Sequence, residues 1–374
     1  MDSKPGGDKL LLLVVGLLTF LGLVMVYSAS SIPATANHGE SHYFLLRQSI
    51  FAAIGIMALL ILMRVNYRFF HRPSVFVSIL VITGVALVYA LFQPPINGAR
   101  RWIYIALLNI TIQPSEFAKL AVLIFTAWYL KTYEDTLNHP RRIGILCCII
   151  AVFAGLIVLG PDFGQMFILC SLAFILLLLA KLEWRYIVGA ISLATLLLYF
   201  FVYRVSYRWD RILVFLPWRK GDSGPSSWQI DQSLIAVGSG GYGGLGLGKG
   251  KQKLFFLPEA STDFIYAVIC EELGFIFATL VVVAFLIYFY CGIKIALNSR
   301  DKFGLYLGVG ITLMVTLQGL INISMVLDML PTKGIALPFM SRGGSSLLMN
   351  LAATGILLSI AHQNNHTEGP IKAG

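Results

Sequence analysis

Charge is what this chain lacks most. Only 12% of its 374 residues are Asp, Glu, Lys or Arg, against 57% that are hydrophobic. Soluble domains carry about 25% charged residues, so a soluble particle of this size would lack the polar surface to stay wetted. Acidic residues are the scarcer sign, 18 against 28 lysines and arginines, for a net charge of +10. In a soluble protein that excess would point to nucleic acid, but the hydrophobicity excludes a nucleic-acid partner here. Cysteine is also rare: five residues, Cys147, Cys148, Cys170, Cys270 and Cys291, all inside apolar runs and with no CxxC spacing. That excludes a disulfide framework and a zinc site, and all five are expected to be small buried hydrophobes. The six histidines form no HExxH pair, so metal-ligand spacing is absent. What remains is a polytopic membrane protein whose bases serve topology or an anionic ligand.

Long apolar runs are what the chain has. A spanning helix needs about 20 mainly apolar residues. Ten windows qualify, near 10–28, 48–63, 74–92, 114–131, 143–160, 164–180, 185–203, 264–292, 303–327 and 344–362. The expectation is an all-α polytopic membrane protein, one integral domain over 1–374 with about ten spans and short tails, 1–9 and 363–374. The first window exceeds a signal-peptide core and reads as an uncleaved anchor. Bases cluster in alternate short loops: Arg64, Arg68 and Arg72; Lys131, Arg141 and Arg142; Lys181 and Arg185; Lys294, Arg300 and Lys302. The positive-inside rule then predicts that both termini are cytoplasmic, with a large outer loop, 204–262, between the seventh and eighth spans. That loop carries eight bases of its own, among them Arg208, Arg211, Lys249, Lys251 and Lys253.

Ionisable groups inside spans cost at least about 2.5–3.5 kcal/mol each, so each demands a partner or a function. Glu116 and Lys119 stand one helical turn apart, spaced to pair. Glu271 and Glu272 are adjacent, so on a continuous helix they point about 100° apart and are not expected to face one partner. At least one should meet a polar cavity or a base. Asp263 precedes the eighth span and reads either as a helix cap or as a functional carboxylate. Asp162 could cap the sixth helix. Residues 238–250 hold eight glycines and mark a loop. A GxGxxG match and a near P-loop match lie within it. Neither follows a strand, and Gly250 stands where a P-loop needs Ser or Thr, so no nucleotide site is expected. The loop reads either as a solvated segment or as backbone amides that approach phosphate with Lys249, Lys251 and Lys253.

Six blocks, in order along nearly the whole chain, resemble the SEDS (shape, elongation, division, sporulation) family. They are Asn97-Gly-Ala-Arg-Arg-Trp-Ile103, Gln113-Pro-Ser-Glu-Phe-Ala-Lys119, Pro161-Asp-Phe-Gly-Gln165, Gln232-Ser233 leading to Gly246-Leu-Gly248, Leu257-Pro-Glu-Ala-Ser-Thr-Asp-Phe-Ile265 with Glu271-Glu272-Leu-Gly274, and Leu337-Pro-Phe-Met-Ser-Arg-Gly-Gly-Ser-Ser346. The segment Pro331-Thr-Lys-Gly334 is closer to the division branch than to the elongation branch. The last block departs from the family, which usually has Tyr where this chain has Arg342.

The resemblance implies a peptidoglycan glycosyltransferase that polymerises lipid II at the outer face of the bacterial cytoplasmic membrane, at the division septum. A class B penicillin-binding protein and other division proteins would be its partners. It carries the general base over to Asp263, and a base-assisted displacement should invert the anomeric centre. The leaving pyrophosphate or head group would be held by Arg100, Arg101, Lys249, Lys251, Lys253, Arg208, Arg211, Ser345 and Ser346. Glu116, Lys119, Asp162, Gln165, Glu271 and Glu272 would shape the cavity. No fixed cofactor is implied; a divalent cation, Mg or Mn, bridging pyrophosphate and carboxylate stays open, as do a lipid II flippase and a non-catalytic septal scaffold.

Overall fold

The computed structural model describes residues 7–96, 98–105, 110–199, 225–331 and 334–365. Among them are eleven α-helices: α1 (Gly7–His38), α2 (Tyr43–Arg64), α3 (Pro73–Leu91), α4 (Pro114–Thr132), α5 (Pro140–Leu159), α6 (Phe163–Leu179), α7 (Trp184–Leu198), α8 (Pro225–Ser239), α9 (Ile265–Leu297), α10 (Lys302–Val326) and α11 (Gly344–Asn365). The starts follow local chemistry. Proline, with no amide to leave unpaired, opens α3, α4 and α5. Asp162 caps α6 and Asp301 caps α10, each accepting a first-turn amide.

Each expected span coincides with a helix. Among the described residues seven of these helices are long and apolar enough to cross a membrane by length and composition alone. α4 fails because Glu116, Lys119 and Lys131 share it; α6 has 17 residues and α7 has 15. The expected outer loop contains an unforeseen helix, α8. Among the described residues the departure from an all-α fold is a two-stranded hairpin, β1 (Ile103–Ile105) with β2 (Ile110–Ile112), antiparallel with Tyr104 opposite Thr111.

Apolar side chains point outward on the peripheral helices. Leu17, Phe20, Met57, Ile61, Ile82 and Val85 are all exposed, as a lipid-facing surface requires. Only 22% of the spanning window of α2 is buried, against 83% for α11, so α11 lies in the interior, with α4 and α10 beside it. Cys270 and Cys291 are buried, but Cys147 and Cys148 are exposed on α5; an outward apolar face suits a small hydrophobe as well as a core does.

The basic short loops share one end of the bundle. Arg68 after α2 bonds Asp301 before α10 at 2.9 Å. Lys302 pairs with Glu134 of the α4–α5 connection, and Asn138 in that same connection accepts the Tyr186 hydroxyl of α7 through its carbonyl. Helix alternation puts the α1–α2, α3–α4, α5–α6, α8–α9 and α10–α11 connections at the opposite end.

Candidate active site

Those opposite-end connections enclose a cavity of about 420 Å³. Phe44, Arg47 and Gln48 line it from the start of α2, Arg101 and Trp102 from the approach to β1, and Gln113 and Glu116 from the start of α4. Gln165 comes from α6, Glu259, Thr262 and Asp263 from the approach to α9, and Gly334 and Arg342 to Ser346 from the approach to α11. Asp263 is half-buried. It does not occupy the cap position of α9, which falls on Phe264. Its backbone carbonyl accepts from Asn322 at 2.7 Å, and the same amide group holds the Ile335 carbonyl at 2.6 Å. One buried side chain thus ties the Asp263 segment to the α10–α11 connection. A side chain on Gly334 would meet Asp263 Oδ2 at 3.2 Å and Arg101 Nη1 at 4.0 Å, so carboxylate and guanidinium flank one small volume that glycine leaves open.

Two buried polar chains hold this wall. In the first, Asp162 accepts from Gln113 at 2.6 Å and Ser115 at 2.9 Å, and Arg101 stands 3.9 Å from its other oxygen. The Gln113 backbone N–H donates to the Ser345 hydroxyl. Burial pushes the Asp162 carboxyl above the ordinary aspartate value, with Arg101, Ser115 and Gln113 opposing. In the second chain, Gln165 donates to Glu116 at 2.6 Å, Glu116 pairs with Lys119 at 2.8 Å, and Lys119 donates to Gln318 at 2.6 Å. Gln318 reaches Ser346, which also accepts from Asn350. Glu116, Lys119 and Gln318 are 2%, 1% and 0% exposed, so a buried charged pair, bonded by an amide at each end, closes the cavity floor.

The FtsW/RodA/SpoVE family model, described as a cell cycle protein, matches residues 8–366. The chain belongs to this family. Relatives include the "Probable peptidoglycan glycosyltransferase FtsW" of Trichlorobacter lovleyi, 40% identical over 359 residues, 95% of this chain and 93% of the relative. "Stage V sporulation protein E" of Bacillus subtilis is 38% identical over 373 residues, 97% and 99% of the two chains. Among solved structures, the fold matches a chain of a peptidoglycan synthase complex that coordinates polymerization and crosslinking, at TM-score 0.76 and 22% identity, covering 95% and 98%. It also matches the Thermus thermophilus rod shape determining protein RodA at TM-score 0.69 and 23% identity, covering 95% and 96%.

Within this family member, the expected site residues divide. Asp263, Arg101, Ser345, Ser346, Glu116 and Gln165 line the cavity; Lys119 and Asp162 stand directly behind it. Arg100, Lys249 and Lys251 are exposed and do not line it, and Arg208 and Arg211 lie outside the described residues. Lys253 requires a correction. It is buried, bonded to Glu272 at 2.6 Å and to Ser28 of α1 at 3.0 Å, and therefore is not turned toward a ligand.

Glu271 and Glu272, adjacent on the first stretch of α9, take different donors, and Glu272 meets a base in Lys253, as their spacing leads one to expect. Just beyond them Gly274, at φ 77° and ψ −177°, breaks the helix. The glycine-rich loop fills the break: Leu245 and Gly246 donate to the Glu271 and Glu272 carbonyls at 3.0 and 2.9 Å, while Phe275 donates to Gly241 at 2.9 Å. Both carboxylates then turn into the same loop. Glu271 accepts from the amides of Lys251 and Gln252, and Glu272 from Gly248, Lys253 and Ser28. The loop does bind anions through its amides, but the anions are its own chain's carboxylates.

The cavity also draws on residues that sequence reasoning does not single out: Arg47 and Gln113 line it, and Gln318 and Asn322 brace it. Gln113 stands in a family block without a role of its own, and Gln318 and Asn322 are lone amides in an apolar helix. Among the described residues no three Asp, Glu, His or Cys side chains converge.

Proposed function

We propose that this chain is a peptidoglycan glycosyltransferase that polymerises lipid II in the cavity around Asp263. The observation that carries the reading is the convergence of a carboxylate, Asp263, and a guanidinium, Arg101, on one pocket built from the connections at a single end of the bundle. The names of the curated relatives supply the substrate class. Asp263 takes the proton of the acceptor sugar hydroxyl as its oxygen bonds the anomeric carbon of the donor. The bond from that carbon to the phosphate oxygen breaks, and the electron pair leaves on the diphosphate. A single displacement of this kind inverts the anomeric centre. Cationic donors fixed in advance stabilise the departing charge, and Arg101, held by Asp162, is placed to supply one.

The basic loops at the other end support an orientation with both termini in the cytoplasm and the cavity at the outer face. The division septum and a class B penicillin-binding partner complete the proposal, consistent with the synthase complex that shares the fold. A floor sealed by Glu116, Lys119 and Gln318 favours surface polymerisation over transport of lipid II through the bundle.

Asp263→Asn keeps the shape and removes the base. Turnover of labelled lipid II should fall by about 10²–10⁴, the usual contribution of a general base, while lipid II binding changes only a few-fold. Turnover within a factor of a few of wild type would remove Asp263 from the role.

A further inference from the structure

Arg101 is not the cavity's sole cation. Arg342 lines it from the approach to α11, beside Glu259 and Phe44. Its backbone amide donates to Ser261 at 2.9 Å, two residues before Asp263, so its position is fixed relative to the reactive carboxylate. Its guanidinium carbon lies 4.0 Å from the centre of the Phe44 ring. The ring supports the cation but accepts no hydrogen bond in the guanidinium plane. Among the described residues this guanidinium has no carboxylate within 4.0 Å, and Glu259 acts on it only from farther off. Elsewhere in the interior, Lys119 and Lys253 each have a carboxylate at 2.8 and 2.6 Å. A guanidinium presents five N–H donors in a rigid fork that matches a carboxylate or phosphate. Leaving that fork unused on a cavity wall is costly unless an anion arrives to fill it.

We propose that Arg342 is a substrate-binding residue that holds the diphosphate of a polyprenyl-linked sugar, at a position separate from Arg101. The proposal rests on the glycosyltransferase reading for its substrate class. That reaction brings together two lipid-linked sugars, each carrying a diphosphate. Arg101 is already engaged by Asp162 and adjoins Asp263, whereas Arg342 stands on the Phe44 wall with its charge uncompensated by any close carboxylate. Burial draws Arg342 below the ordinary arginine value, with Glu259 opposing, and the same desolvation strengthens what a guanidinium offers an anion.

The test measures binding without turnover. The full chain in detergent is titrated with a polyprenyl diphosphate and, separately, with the uncharged polyprenol of the same length. Arg342→Gln should weaken diphosphate binding about tenfold or more, the scale of a lost charge-assisted hydrogen bond, and leave polyprenol binding unchanged. Arg342→Lys keeps the charge and should recover most of the loss. In lipid II turnover, Arg342→Gln should raise KM with little change in kcat. Equal diphosphate affinity in wild type and Arg342→Gln, with both chains melting at the same temperature, would overturn the proposal; so would an equal loss for diphosphate and polyprenol. A diphosphate-specific loss in a chain that makes no polymer from lipid II would uphold the Arg342 site and fail the polymerase reading instead.

Discussion

Glu116 and Lys119 form an ion pair that is almost completely buried. Two charges in a poorly polarisable interior persist only if each compensates the other and the remaining donors and acceptors are met, as Gln165 and Gln318 do here. Glu116→Gln or Lys119→Met alone should therefore destabilise the chain by about 3–5 kcal/mol, and the double variant by much less than the sum. Thermal unfolding of the four chains in one detergent checks this; additive losses would mean that the two charges are compensated independently. The pairing was legible from the spacing, three apart on a helix. What was not legible was the cavity on one side of Glu116 and Gln318 on the other, because both depend on which helices meet. The same limit applied to Asp263: its motif suggested the site, but only the fold shows Arg101 beside it and Lys253 turned away.

At the scale of elements, the glycine-rich loop and the break in α9 are one structure. A helix broken within an apolar bundle exposes carbonyl and amide groups that lipid cannot satisfy, and residues 241–246 satisfy them. Gly244, at φ 79°, abuts the backbone of Glu272 and Leu273, so a Cβ there meets both an unfavourable dihedral and main-chain atoms. Gly244→Ala should cost at least about 1–3 kcal/mol and raise amide exchange at Phe275 and Ile276, measured by mass spectrometry. Unchanged exchange at both would mean that the loop does not brace the break. The glycine count marked the loop correctly. Its partner is hidden in the sequence because one glycine in an apolar helix commonly signals packing rather than a break.

Across the whole molecule, charge divides between two ends: paired bases at one, a carboxylate and guanidinium cavity at the other. At the basic end, burial alone would raise the Asp301 carboxyl, but the Gly304 amide, Tyr67 and Arg68 together hold it below the ordinary aspartate value. A depressed carboxylate stabilises the fold above its unfolded value, about 3.9, and loses that contribution as pH falls through the lower folded value. Asp301→Asn, which preserves a capping side chain, should melt below wild type at pH 7, with the gap closing below about pH 4; a gap that persists there would assign the loss to packing. The ten apolar runs and the alternating bases made the helices and their alternation legible. The hairpin and α8 were not, since short segments beside a membrane carry no run or period strong enough to announce them. The most direct test of the central claim is glycan formation from labelled lipid II by the purified chain, alone and with the proposed class B penicillin-binding protein, resolved on a gel. The account predicts polymer from the wild-type chain and none from an equally stable Asp263→Ala chain; polymer of normal length from Asp263→Ala would contradict it.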